Sequence, residues 1–120
     1  MSLFRRTRLT ASEVLPTVEK QLTAPSQAAT LSYTEGSDEF NVFVPRTFQG
    51  DMEAVLQEFG SGAILDTRTV DSDNATAYIV DASSVNVGAV YRVRLRRLHP
   101  TNPALNSDVV YSSTATKTTS

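Results

Sequence analysis

The sequence predicts an α+β fold: a small, mostly antiparallel sheet with one main helix packed on one face, in a split βαβ-like arrangement, and extended termini. Three observations carry that expectation. Short β-rich runs recur between turn signals. One segment, Phe48 to Phe59, instead places apolar residues at helical spacing. Ser, Thr and Asn then dominate the chain after Pro100.

Taken in order, residues 1–28 form an N-terminal arm. A short strand is expected over Leu3–Leu9, a turn over 10–15, and a short helix from Pro16 to about Leu22, because proline suits the first helical position. The α+β domain is expected over 29–100. It opens with a strand over Ala29–Tyr33 and a turn at Glu35-Gly36-Ser37-Asp38. The next strand, Glu39–Val44, places Phe40, Val42 and Val44 on one face and Phe43 on the other, and Pro45 ends it. The helix follows over 48–59, with Phe48, Met52, Val55, Leu56 and Phe59 as its apolar stripe. Gly60-Ser61-Gly62 supplies a left-handed residue to stop it. Strands are expected over 63–70, 75–80 and 87–98, the last carrying Tyr91, Val93 and Leu95 on one face and Arg92, Arg94 and Arg96 on the other. Residues 101–120 read as a flexible or extended tail.

Composition narrows the function classes. The chain has 120 residues, enough for one domain with tails. No apolar run approaches the length of a membrane span, so no membrane insertion is expected. The charged start lacks the apolar segment of a secretory signal, which fits a cytoplasmic location. The absence of cysteine removes disulfides, thiolate metal sites and cysteine nucleophiles. The net charge of −2 hides an asymmetry. Arg5, Arg6 and Arg8 lie near the start and Arg92, Arg94, Arg96 and Arg97 near the end of the domain, while residues 35–81 are rich in Asp and Glu.

The run Phe40-Asn41-Val42-Phe43-Val44-Pro45, the apolar Leu56 and Phe59, Gly60, and Ile64-Leu65 together resemble the CpcD-like phycobilisome linker domain, the small core and rod linker family. The opening Met1-Ser2-Leu3-Phe4-Arg5 is similar to that family's first strand. The chain departs from the pattern at Arg46, where the family usually has an aromatic residue, at the longer Gly60-Ser61-Gly62, and in its acidic balance. The resemblance implies a colourless protein that inserts between or caps phycobiliprotein discs, associated with the thylakoid surface, through Arg and aromatic anchors.

The candidate sites are partner-binding ones. Arginines two residues apart on one strand face repel each other unless an anionic surface opposes them, so Arg92, Arg94 and Arg96, with Arg97, point to docking on an acidic protein. Their own chain's acidic middle is the competing partner. Arg5, Arg6, Arg8, Arg46 and the outward Phe43 complete the set. Nucleic acid is not expected: stacking aromatics on the arginine face are missing from the pattern, and the overall charge has the wrong sign. His99 before Pro100 reads as structural, and Asp71-Ser72-Asp73-Asn74 as a turn more readily than a calcium loop. No catalytic, cofactor or metal residues are assigned. The expected function is a non-enzymatic structural linker or cap inside a large protein assembly; a virion or capsid cement protein and a small regulatory binding domain are the alternatives.

Overall fold

The computed structural model describes residues 20–46, 50–71 and 75–119. Two antiparallel sheets face each other. The first contains β1 (Thr30–Thr34), β2 (Glu39–Val44) and β5 (Thr76–Asp81), in the order β1-β2-β5. The second runs β4 (Ile64–Asp71), β3 (Asp51–Glu58), β6 (Val90–Arg97), and two short strands, β7 (Val110–Tyr111) and β8 (Ala115–Thr116), both pair with β6. This corrects the expected α+β fold. The only helical element among the described residues is a 3-10 turn at Pro103–Leu105.

The segment read as the main helix is β3, the strand at the centre of the second sheet. Met52, Ala54 and Leu56 alternate inward and are fully buried. They pair in register with Val70, Arg68 and Asp66 of β4 on one side and with Arg97, Leu95 and Val93 of β6 on the other. Val55 points to the opposite face yet is also buried, because Arg94 and Thr67 flank it and an arginine stem covers apolar surface beside it. A strand buried on both faces loses its alternation and reads as a continuous apolar run, which helical spacing also matches. Gly60-Ser61-Gly62 closes the β3–β4 hairpin instead of stopping a helix. Gly60 (φ 100°) and Gly62 (φ 76°) occupy the left-handed region, where a Cβ would be strained. Glu58 N–H donates to Ala63 O at 2.8 Å and Gly62 N–H to Glu58 O at 2.9 Å. The split βαβ crossover is likewise replaced: β2 and β4 belong to different sheets.

The remaining strands lie close to their expected places. The expected Leu3–Leu9 strand lies outside the described residues, as does most of the Pro16–Leu22 helix, and residues 20–22 are not helical. Phe40, Val42 and Val44 from the first sheet meet Met52, Leu56, Val93 and Leu95 from the second in one core. Phe40 links the layers, its ring 5.4 Å from Tyr33 and 5.1 Å from Tyr91. At the open side between β4 and β5, Arg68 lies 4.3 Å above the Tyr78 ring.

The tail runs along the free edge of β6. β8 pairs at Tyr91 and β7 at Leu95. The backbone N–H of Val93 falls between these pairings and that of Arg97 beyond the β7 one, and serine hydroxyls accept them: Ser112 Oγ takes Val93 N–H at 2.8 Å and Ser107 Oγ takes Arg97 N–H at 2.7 Å. Each serine N–H returns a bond to the same residue's carbonyl, at 2.9 and 3.0 Å. Each hydroxyl donates to the next residue's carbonyl, at 2.8 Å in both cases. Beyond β8, the buried Lys117 donates to Ala82 O at 2.6 Å and meets Asp38 Oδ2 at 3.2 Å, tying the tail to the first sheet's loops. The Tyr33 hydroxyl also donates to Asp38. That bond, then Lys117, holds the Asp38 carboxyl below its ordinary value against the opposing effect of burial.

Candidate functional site

Alternation along β6 sends Tyr91, Val93 and Leu95 into the core and projects Arg92, Arg94 and Arg96 from the outer face of the second sheet. Their cross-strand neighbours on β3 are Gln57, Val55 and Glu53. The sequence-predicted row therefore exists, but its members differ in environment. Arg96 Nε donates to Glu53 Oε1 at 3.0 Å, a partly exposed pair. Such pairs contribute about 0.2–1 kcal/mol, so its main effect is to neutralise one end of the row. Arg94 makes no hydrogen bond or ion pair among the described residues, and its Nε is buried without an acceptor.

Arg92 is held by aromatic rings. Its guanidinium lies 3.7 Å above the centroid of Tyr111 and 5.0 Å from that of Phe59. Stacking fixes the plane of the fork and leaves its edge N–H groups available to an anion. Its Nε, too, is buried without an acceptor. Both rings are large and substantially exposed, Phe59 at 54% and Tyr111 at 44%. The result is a face with two cations, two residues apart, that have no ion-pair partner among the described residues and are framed by aromatic surface.

The other candidate residues are dispersed. Arg97 turns away from the row and donates through Nη1 to Thr23 O and Oγ1, at 3.3 and 3.1 Å, which ties the segment before β1 to the end of β6. It lines a recess of about 450 Å³ with Asp51 and His99. His99 Nδ1 there accepts the Thr101 and Asn102 N–H groups, at 3.2 and 3.0 Å, and shapes the turn after β6. Phe43 is exposed on the outer face of the first sheet, and Arg46 is exposed just past the end of β2. Arg5, Arg6 and Arg8 lie outside the described residues, as do Ser72, Asp73 and Asn74.

Sequence reasoning missed the aromatic half of the site. Helical spacing places Phe59 in a helix's core stripe, and composition places Tyr111 in a tail. The available signal was Val109-Val110-Tyr111, a β-rich triplet inside an otherwise polar stretch. Among the described residues, no group of three His, Asp or Glu side chains is placed to hold a metal ion, and no helix is long and apolar enough to cross a membrane. Compared with protein-family models, with curated proteins and with solved structures, the chain finds no match.

Proposed function

We propose that this chain is a non-enzymatic structural module that docks within a larger protein assembly through the Arg92–Arg94 face of its second sheet, onto an acidic protein surface. One observation carries the reading. In a single row of arginines, Arg96 has its carboxylate, whereas Arg92 and Arg94 have none among the described residues and each keeps a buried Nε without an acceptor. With no carboxylate of their own among the described residues, the outer guanidinium N–H groups of these two arginines are left for an incoming carboxylate, which they would take in a charge-assisted pair. Arginine and tyrosine are also the residue types that concentrate binding energy in protein interfaces.

The resemblance of 39–67 to phycobilisome linkers implies phycobiliprotein discs as the host. The arginine face supports docking independently of that host, because Leu56 and Phe59 occupy a strand and its following turn instead of the helix that the resemblance implies. The test is recovery of the tagged full chain from its native source at low and high salt, beside the Arg92→Glu/Arg94→Glu variant. The reading expects a stoichiometric protein partner with the wild type at low salt and its loss with the variant. Visible bilin absorption in the recovered complex would identify the host as a phycobilisome. Equal recovery with both chains would overturn the docking role, and recovery of nucleic acid alone would replace the protein partner.

A further inference from the structure

The outer face of the first sheet is the chemical complement of the arginine face. Glu39 of β2 and Asp81 of β5 stand directly opposite each other in register, both on the outward side. Like charges in such a pair repel, with Cβ atoms about 5 Å apart. Asp81 accepts the Ser83 hydroxyl, and no hydrogen bond or ion pair of the Glu39 side chain is present among the described residues. Next to them the same face offers Phe43, 43% exposed, and Ile79, 53% exposed. A shallow recess of about 390 Å³ runs between them, and no charged residue lines it.

We infer that the occupant of the arginine face is a second copy of this chain, presenting the Glu39–Asp81 face of its first sheet. The inference rests on the docking reading above and names its partner. Two cations with no carboxylate partner among the described residues on one face meet two adjacent carboxylates on the other, and both faces add exposed aromatic or aliphatic surface. Arg92 and Arg94 are about 6–7 Å apart along their strand, a separation that their flexible stems can match to the carboxylate pair.

The two faces lie on opposite sides of the sandwich, so the contact is head-to-tail. A head-to-tail contact uses different patches on the two partners and leaves one of each free, so it propagates unless rotation closes a ring. A three-stranded face of this length covers roughly 300 Å² from strand spacing alone. That is well under the ~800 Å² per partner of a standard interface, so single contacts are weak and form where the local concentration is high.

The test is sedimentation of the full chain over about 10–500 µM, at low salt and at about 0.5 M salt, where surface charges are screened. Two charge-reversed variants accompany it, Arg92→Glu/Arg94→Glu and Glu39→Arg/Asp81→Arg, each checked for a wild-type thermal transition. The wild type is expected to exceed its monomer mass of 13.1 kDa progressively at low salt and to return to it at high salt. Each variant alone carries like-charged faces and is expected to bind itself at least about tenfold more weakly, as expected for lost or reversed charge pairs. An equimolar mixture restores complementary faces and is expected to associate again. A monomeric wild type throughout, or variants that associate as the wild type does, would overturn the inference. The two readings fail separately. If the arginine variant loses its native partner while the wild type stays monomeric, the face docks a different acidic protein; if native recovery is unaffected, the docking reading itself fails.

Discussion

At the scale of the residue, the tail shows how polar side chains replace secondary structure. Ser107 and Ser112 are among the few polar side chains buried in the described chain, and each stands in for a strand carbonyl facing β6. Removing one hydroxyl leaves a buried N–H without an acceptor, at a cost of about 1–3 kcal/mol. Ser112→Ala is therefore expected to lower urea stability by that amount, whereas Ser113→Ala, an exposed neighbour whose hydroxyl makes no such bond, is expected to be near neutral. Equal effects from the two substitutions would contradict the hydroxyl's role. Tyr78 is a second informative residue. Burial, reinforced by Asp66 and opposed by Arg68, pushes its hydroxyl up to about 12. The fold thus prefers the neutral phenol over its unfolded value near 10, and this contribution is whole below about pH 10 and lost as pH rises toward 12. Tyr78→Phe removes the titration. Its urea stability is expected to fall less than the wild type's between pH 10 and 12, and parallel losses would show that Tyr78 does not carry the alkaline sensitivity.

At the scale of the element, β3 separates two accounts of the same residues. In a helix with Met52, Val55, Leu56 and Phe59 facing the core, Ala54 would lie on the solvent side and accept a charge. In the strand it is fully buried between Leu95 and Arg68. Ala54→Asp is expected to cost about 1–3 kcal/mol, the desolvation of a buried polar group that Arg68, opposite in register, offsets only in part, and Leu56→Ala about 2–5 kcal/mol. Chemical denaturation reads both. A neutral Ala54→Asp would restore the helix. The strands with one wet face were legible: Phe40, Val42 and Val44 alternate cleanly with exposed or half-exposed neighbours, and so do Tyr91, Val93 and Leu95. β3 was not, because burial of Val55 and Gln57 on its outer face erased its alternation. Gly50 and Gly60 bracket it closely, and that short span was the available hint of a strand. The ordered tail was hidden for a different reason: hydroxyl bonding to a neighbouring strand has no period, so its composition resembles that of a loop. Of the site, the arginine row could be read from alternation, while its division into paired and unpaired members depended on Glu53, Phe59 and Tyr111, which only the tertiary fold brings beside it.

At the scale of the whole molecule, the sandwich puts the core between two outer faces of contrasting chemistry. The arginine face contributes little to the fold beyond the half-exposed Arg96–Glu53 pair. Arg92 and Arg94 can therefore be reversed in charge at modest structural cost: Arg92 loses its stacking on Tyr111 and Phe59, and Arg94 the cover its stem gives Val55. Function and stability are separable on this surface, which makes the docking claim directly testable. The deciding measurement is incorporation of Arg92→Glu/Arg94→Glu into the native assembly, made beside its thermal transition. The account predicts a transition within a few degrees of the wild type, as for a change of about 1 kcal/mol or less, together with loss of the variant from the assembly. A variant that folds and incorporates as the wild type does would contradict it.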